Sequence, residues 1–124
     1  MIVEDNERNL KLLRDVLGAS GYRTIEARSG EEAMALVRSC RPALVLMDIQ
    51  LPGMDGVEAL HELRRSSELE TTPIVAVTAF VMNEDRERFL AAGFDGNLEK
   101  PVDIRALRSF VDSYLGRSGP GDQS

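Results

Sequence analysis

The sequence predicts an α/β fold in which a doubly wound parallel sheet of five strands carries five helices. Three observations predict it. Apolar runs of strand length alternate with amphipathic stretches of helix length, five times in succession. Two of the runs, Leu44–Met47 and Ile74–Val77, are apolar without interruption, as strands buried on both faces must be. The connections are short, and right-handed crossovers then place helices on both faces of the sheet. A chain of 124 residues suffices for one such domain around one core.

The first strand is Met1-Ile2-Val3, closed by Glu4-Asp5. It is short against the usual length of about five or six residues, so residues upstream of it are expected. Helix 1 is expected from about Asn6 to Gly18. Its Leu10, Leu12, Leu13, Val16 and Leu17 share one arc of roughly 160°, a wide buried face whose edges, Leu10 and Leu12, are also open to a partner. Gly18 and Gly21 are expected to end it. Tyr22–Ala27 alternates as a strand near a sheet edge. Ser29-Gly30-Glu31-Glu32 is a capping box opening helix 2, with Ala33, Leu36 and Val37 inward and Cys40 a small buried hydrophobe at its end.

Pro42 stops that helix, and the third strand runs to Asp48. Leu51-Pro52-Gly53 and Asp55-Gly56 are loop punctuation. Helix 3, about Gly56 to Arg65, turns Val57, Leu60 and Leu63 inward and leaves His61 on the surface. Ser66–Thr72 reads as a polar loop. The fourth strand, Pro73–Val77, ends in the hydroxyl of Thr78. Helix 4, about Asn83 to Ala92, is expected to bury Phe89 and Leu90, with Gly93 as its cap. A short strand around Gly96–Leu98 leads to Glu99-Lys100-Pro101. Asp103 caps helix 5, whose Ile104, Leu107, Phe110, Val111 and Tyr114 are expected on the core side. Gly116–Ser124 is Gly/Ser/Pro-rich, a flexible tail or the start of a linker.

Composition narrows the function. The chain has no stretch of bilayer-spanning length and no signal peptide, so a cytoplasmic location without membrane insertion is expected. One cysteine and one histidine exclude an internal disulfide and a zinc site of Cys and His ligands. The net charge of −6 argues against a nucleic-acid surface. Only Lys11 and Lys100 among the 15 basic residues are lysines, which singles out their ammonium groups.

The chemistry-bearing residues gather at the carboxyl ends of strands, where open α/β sheets bind ligands. Alone, Asp48 reads as an aspartate capping a turn. In company it reads differently. Strand 1 supplies Glu4 and Asp5, strand 3 Asp48, strand 4 Thr78 and strand 5 Lys100. Carboxylates about 5 Å apart at an effective dielectric near 20 repel by roughly 3 kcal/mol per pair, more than one lysine offsets for three. Either one is protonated or a divalent cation joins them. An oxygen-only set open to water and phosphate suits Mg²⁺. A metal, a lysine and a hydroxyl around one carboxylate form a site for phosphoryl transfer, with the carboxylate as nucleophile. Neither a Walker-type nor a dinucleotide-type glycine loop is present.

Glu4-Asp5, Asp48 within Met-Asp-x-x-Leu-Pro-Gly-Met-Asp-Gly, Thr78-Ala79 and Lys100-Pro101, in that order and spacing, resemble the receiver domain of bacterial two-component response regulators over nearly the whole chain. Asp5-Asn6-Glu7 followed by Asn9 is most similar to single-domain, cell-cycle-type receivers and to those attached to hybrid kinases or diguanylate cyclases. The resemblance implies a flavodoxin-like sheet of order 2-1-3-4-5, a receiver over residues 1–115 and a tail over 116–124. It implies that Asp48 accepts a phosphoryl group from a histidine kinase or histidine phosphotransfer protein. Mg²⁺ would be held by Asp5, Asp48 and the backbone carbonyl of Gln50, with Glu4 acting through a water. Lys100 and Thr78 would contact the phosphoryl group, and the bond from Lys100 to Pro101 would be cis. Gln50 and Phe80 would tune how long the phosphoryl group survives. The signal would leave to a downstream effector protein through helix 4, strand 5 and helix 5, and a phosphorylation-dependent homodimer is left open.

Two positions depart from the family. Asn97 stands three residues before the lysine, where an aromatic switch residue is usual, and strand 1 is short. Two other readings remain beside the switch: a pseudo-receiver that binds partners without phosphorylation, and a phosphatase with an aspartyl nucleophile. Gln50 counts against the second, because such enzymes carry an aspartate two residues after the nucleophile. A flavin site is disfavoured by Glu4-Asp5, which would repel a phosphate after strand 1.

Overall fold

The computed structural model describes residues 1–49, 56–65, 69, 71–78, 83–100 and 102–115. The elements run β1 (Ile2–Val3), α1 (Glu7–Ala19), β2 (Glu26–Ala27), α2 (Gly30–Cys40), β3 (Val45–Asp48), α3 (Gly56–Arg64), β4 (Ile74–Thr78), α4 (Asn83–Ala92), β5 (Gly96–Glu99) and α5 (Ile104–Leu115). The strands form one parallel sheet in the order β2-β1-β3-β4-β5, the expected flavodoxin-like topology. No helix among the described residues is long and apolar enough to cross a membrane.

The alternation of side chains along each strand divides the core in two. Val3, Val45, Met47, Ile74 and Ala76 pack with Ala33 and Val37 of α2 and Leu60 and Leu63 of α3. Ile2, Leu46, Val75, Val77 and Leu98 pack on the other face with Leu10, Leu13 and Leu17 of α1 and Leu107 and Val111 of α5. This is why β3 and β4 are apolar at every position up to Asp48 and Thr78: both of their faces are covered. The register fixes the site. Val3 lies opposite Met47, Asp48 opposite Val77, and Thr78 opposite Glu99, so the residues that follow β1 and β5 emerge beside Asp48 and Thr78.

Helix boundaries follow local chemistry. Asn6, in extended backbone, caps α1 by accepting from the N–H groups of Arg8 and Asn9 at 3.0 and 3.2 Å. α1 runs through Gly18 to Ala19, and Gly21, at φ 92°, is the glycine that turns the chain. Ser29 Oγ accepts from Glu32 N at 3.1 Å, whereas the Glu32 carboxylate reaches Arg28 N at 2.8 Å, one residue farther back than a capping box predicts. α2 ends at Arg41, in the left-handed region at φ 41° ahead of Pro42, because a residue before proline is disfavoured in the right-handed helical region.

Several expectations change. Leu10 is fully buried and Leu12 half-buried, so the wide face of α1 is mostly core. β2 is only Glu26–Ala27, since β1 offers only Ile2 and Val3 as partners. Cys40 is exposed, not buried; it falls on the same side of α2 as Ala33 and Val37 but in the last turn, at the helix end. Leu90 of α4 and Ile104 of α5 are exposed at 48% and 51%, where the helical pattern placed both in the core. Leu69, in the expected polar loop, is fully buried against Leu63 and Ile74. The expectations for Leu51-Pro52-Gly53, Asp55, Phe80, the Phe89 side chain, the Lys100–Pro101 bond and the tail from Gly116 lie outside the described residues.

Candidate functional site

Four of the predicted side chains meet at the carboxyl edge of the sheet. Glu4 leaves β1, and its backbone N–H still pairs with Ala27 O at 2.9 Å. Its carboxylate is held from below, with Oε2 accepting from Asn6 N at 3.1 Å. Asn6 therefore serves twice, capping α1 with its side chain and fixing Glu4 with its backbone. The sequence signal for it was the asparagine directly ahead of the first helical turn. Asp48 closes β3 and is buried, as is Thr78 at the end of β4. Asp5 is exposed.

Lys100 joins these strands. Its backbone N–H donates to Thr78 O at 2.9 Å. Its ammonium donates to Asp48 Oδ2 at 3.0 Å and lies 3.2 Å from Glu4 Oε1. The second approach is an ion pair without hydrogen-bond geometry, for Glu4 Oε1 has no hydrogen-bond partner among the described residues. Lys11, the other lysine, pairs with Asp15 on the exposed surface of α1, far from this role.

The electrostatics follow from crowding. The Glu4 carboxyl is pushed up to about 7, first by burial, then by a hydrogen bond shared with Asp48 and by the charge of Asp48; the Asn6 N–H and the Lys100 charge pull against this. Burial pulls Lys100 down, but its hydrogen bond with Asp48 and the charges of Asp48 and Glu4 more than offset that and hold it above its ordinary value. The crowding thus favours the protonated form of Glu4 and the charged form of Lys100, which eases the repulsion among the three acids.

Carboxylate oxygens of Glu4, Asp5 and Asp48 lie within 4.8 Å of one another. Three hard oxygen donors, one of them exposed, with an orphaned buried oxygen at Glu4, fit a hard divalent cation. The Gln50 carbonyl, the expected further ligand, lies outside the described residues. His61 is exposed on α3, outside this site. Asn97 is half-buried on β5, opposite Ala76.

The chain matches the response regulator receiver domain over residues 1–112. It belongs to that family. Receivers of this kind serve two-component signalling and are signalling domains, not classical enzymes. The polar-differentiation response regulator DivK of Brucella anthropi is 48% identical over 116 residues, covering 94% of each chain. DivK of Brucella ovis matches to the same extent. Among solved structures, the receiver domain of a sensor histidine kinase from Pseudomonas aeruginosa superposes with a TM-score of 0.85 at 33% identity, covering 93% of this receiver and 94% of that chain. That structure holds a magnesium ion coordinated in its active-site cleft. The chemotaxis response regulator CheY4 of Vibrio cholerae gives a TM-score of 0.87 at 27% identity, over 92% and 95% of the two chains.

Proposed function

We propose that this receiver is a phosphoacceptor switch in which Asp48 takes a phosphoryl group from a phosphohistidine on a histidine kinase or phosphotransfer protein. The observation that carries the reading is the Lys100 ammonium at 3.0 Å from Asp48 Oδ2, inside a cluster with Glu4 and Asp5. A carboxylate with a fixed cation beside it needs little rearrangement when charge develops on a transferring phosphoryl group.

The step is an in-line displacement. A carboxylate oxygen of Asp48 bonds to phosphorus as the phosphorus–nitrogen bond breaks, and the imidazole nitrogen leaves with the electron pair. Lys100 neutralises a phosphoryl oxygen, and the Thr78 hydroxyl donates to another. Asp5, Asp48 and the Gln50 carbonyl would hold Mg²⁺, with Glu4 acting through a water. Mg²⁺ supplies neutralisation of phosphoryl charge when bound. The similar receiver with magnesium coordinated in its active-site cleft supports a magnesium site here.

In this reading residues 1–115 form the receiver and 116–124 a tail or linker start. The signal passes to an effector protein through α4, β5 and α5. Exposed Leu90 and Ile104 on that face support the route, since apolar side chains on exposed helix faces suit protein contact. The pseudo-receiver reading draws support from Asn97 alone.

Intact mass after incubation with a small-molecule phosphodonor tests the proposal. We expect a gain of one phosphoryl group that is lost on removing Mg²⁺ and lost in Asp48→Asn. A folded, Mg²⁺-replete chain that gains nothing from either a small donor or a phosphohistidine donor is a pseudo-receiver.

A further inference from the structure

The first turn of α1 is built on the residue that also holds Glu4. Asn6 stands at φ −84° and ψ 121°, the extended backbone of a helix cap, and its Oδ1 accepts from the N–H groups of Arg8 and Asn9. Those two bonds fix the chain at Asn6, whose own N–H donates to Glu4 Oε2 at 3.1 Å. Glu4 is 1% exposed, so its carboxylate has no solvent to choose an orientation for it. Oε2 is pinned by the main chain. Oε1 lies 3.2 Å from Lys100 Nζ and has no hydrogen-bond partner among the described residues. A buried acceptor left over in this way is uncommon and points to a missing ligand.

The same turn is braced from outside. Glu7 of α1 pairs with Arg28, which follows β2. The Arg28 N–H donates to the Glu32 carboxylate at 2.8 Å, and Ser29 Oγ caps α2 by accepting from Glu32 N at 3.1 Å. The caps of α1 and α2 are therefore neighbours of similar chemistry. Only that of α1 sits on a residue bonded to the carboxylate cluster of Glu4, Asp5 and Asp48. A carboxylate that acts on a cation through a water must keep one orientation to do so, and for Glu4 that orientation is set by the Asn6 N–H.

We propose, resting on the Mg²⁺ site of the preceding section, that Asn6 is a positioning residue for the cation: its side chain fixes the first turn of α1, its N–H aims the Glu4 carboxylate, and Mg²⁺ affinity is thereby linked to the order of that turn. The linkage runs both ways. Whatever factor the cap adds to the affinity for Mg²⁺, bound Mg²⁺ adds to the formation of the cap. The first turn of α1 then registers whether the cation is present, by a path separate from α4, β5 and α5. The Asn6 Oδ1 is engaged with Arg8 and Asn9, so the residue acts through Glu4 and not as a ligand itself.

Mg²⁺ alone, titrated without phosphodonor and followed by amide NMR shifts, tests this in the parent, Asn6→Ala, Asn6→Ser and Ser29→Ala. Asn6→Ala is expected to weaken Mg²⁺ binding at least about fivefold. Asn6→Ser restores an acceptor for the cap and should stay within about twofold of the parent. Ser29→Ala removes the cap of α2 and should leave the affinity unchanged. In the parent, saturating Mg²⁺ should slow exchange of the Arg8 and Asn9 amides by about fivefold, the factor that reciprocity requires. Unchanged exchange in the parent overturns the proposal without any variant. So does Asn6→Ala that binds like the parent, Asn6→Ser as weak as Asn6→Ala, or Ser29→Ala weakened as much. A parent that takes up no Mg²⁺ overturns the metal site itself and this role with it, whereas a parent that binds and an Asn6→Ala that matches it overturn the role alone.

Discussion

The ammonium of Lys100, at the end of β5, reaches over β4 to Asp48 on β3 at 3.0 Å and stands 3.2 Å from Glu4 beyond β1. One side chain therefore ties the end of its own strand to the ends of two strands, β1 and β3, that share no hydrogen-bonded ladder with it. Lys100→Met should remove that tie and leave the carboxylates facing one another. We expect a loss of about 1–3 kcal/mol in Mg²⁺-free urea unfolding at neutral pH, below the roughly 3–5 kcal/mol of a fully buried pair because the lysine keeps some solvent contact. Added Mg²⁺ should recover much of the loss, as a cation takes over the neutralisation. An unfolding curve for Lys100→Met that matches the parent in EDTA would show the ion pairs to be energetically idle.

Glu4 gives the chain a pH dependence of definite sign. In the metal-free protein its carboxyl titrates near 7, against about 4.5 when unperturbed. Between those values the unfolded chain has released a proton that the folded chain keeps, so the unfolded state binds fewer protons and stability falls as pH rises. The stabilising contribution is present in full below about pH 4.5 and is lost as pH climbs through about 7. Urea midpoints in EDTA from pH 5 to 8 should decline for the parent. They should decline less for Glu4→Gln, which holds a neutral side chain throughout. Parallel profiles for the two proteins would remove Glu4 as the proton-binding group.

Much of this site was legible because its chemistry sits where strands end. A strand buried on both faces admits no polar residue until it leaves the sheet, so Glu4, Asp48, Thr78 and Lys100 each announce a strand terminus. Non-local polar contacts left no such mark. The Tyr22 hydroxyl bonds to Asp112 of α5, and Arg28 pairs with Glu7, yet each reads locally as a surface residue. Leu90 and Ile104 were misplaced because helical periodicity finds an apolar face without distinguishing core from partner. Tyr22–Ile25 failed as strand for another reason: pairing needs a neighbour, and β1 is too short to supply one.

Arg64 illustrates the same limit and yields a stability prediction. From the last turn of α3 it donates to Leu69 O at 2.9 Å, Thr72 O at 2.6 Å and Asp95 Oδ2 at 2.7 Å. Asp95 Oδ2 also accepts from Ile74 N at 2.8 Å, and Asp95 O from the Tyr114 hydroxyl at 2.9 Å. The group thus joins α3, the starts of β4 and β5, and α5. Arg64→Met keeps the apolar stem but strands two carbonyls, and should cost about 2–3 kcal/mol. Asp95→Asn, which keeps an acceptor for Ile74 N, should cost less. Urea unfolding of the two variants gives the order, and a larger loss for Asp95→Asn would place the weight on the Ile74 contact instead.

Asn97 is the position where the switch itself is open to change. Leu98 packs toward α1 and α5, so by alternation Asn97 points to the other face of β5, the side of α3 and α4. An aromatic there would link the Thr78 end of β4 to the exposed face bearing Leu90. A small amide at that position offers little surface to couple the two. Asn97→Tyr should leave phosphorylation of Asp48 intact, because it adds no group to the Lys100 cluster. It should enlarge the phosphorylation-dependent change in amide exchange across α4 and α5, by about fivefold if it restores about 1 kcal/mol of coupling. Exchange compared with and without phosphodonor, in both proteins, reads this directly. An unchanged difference would mean that the signal leaves Thr78 by a route that bypasses position 97.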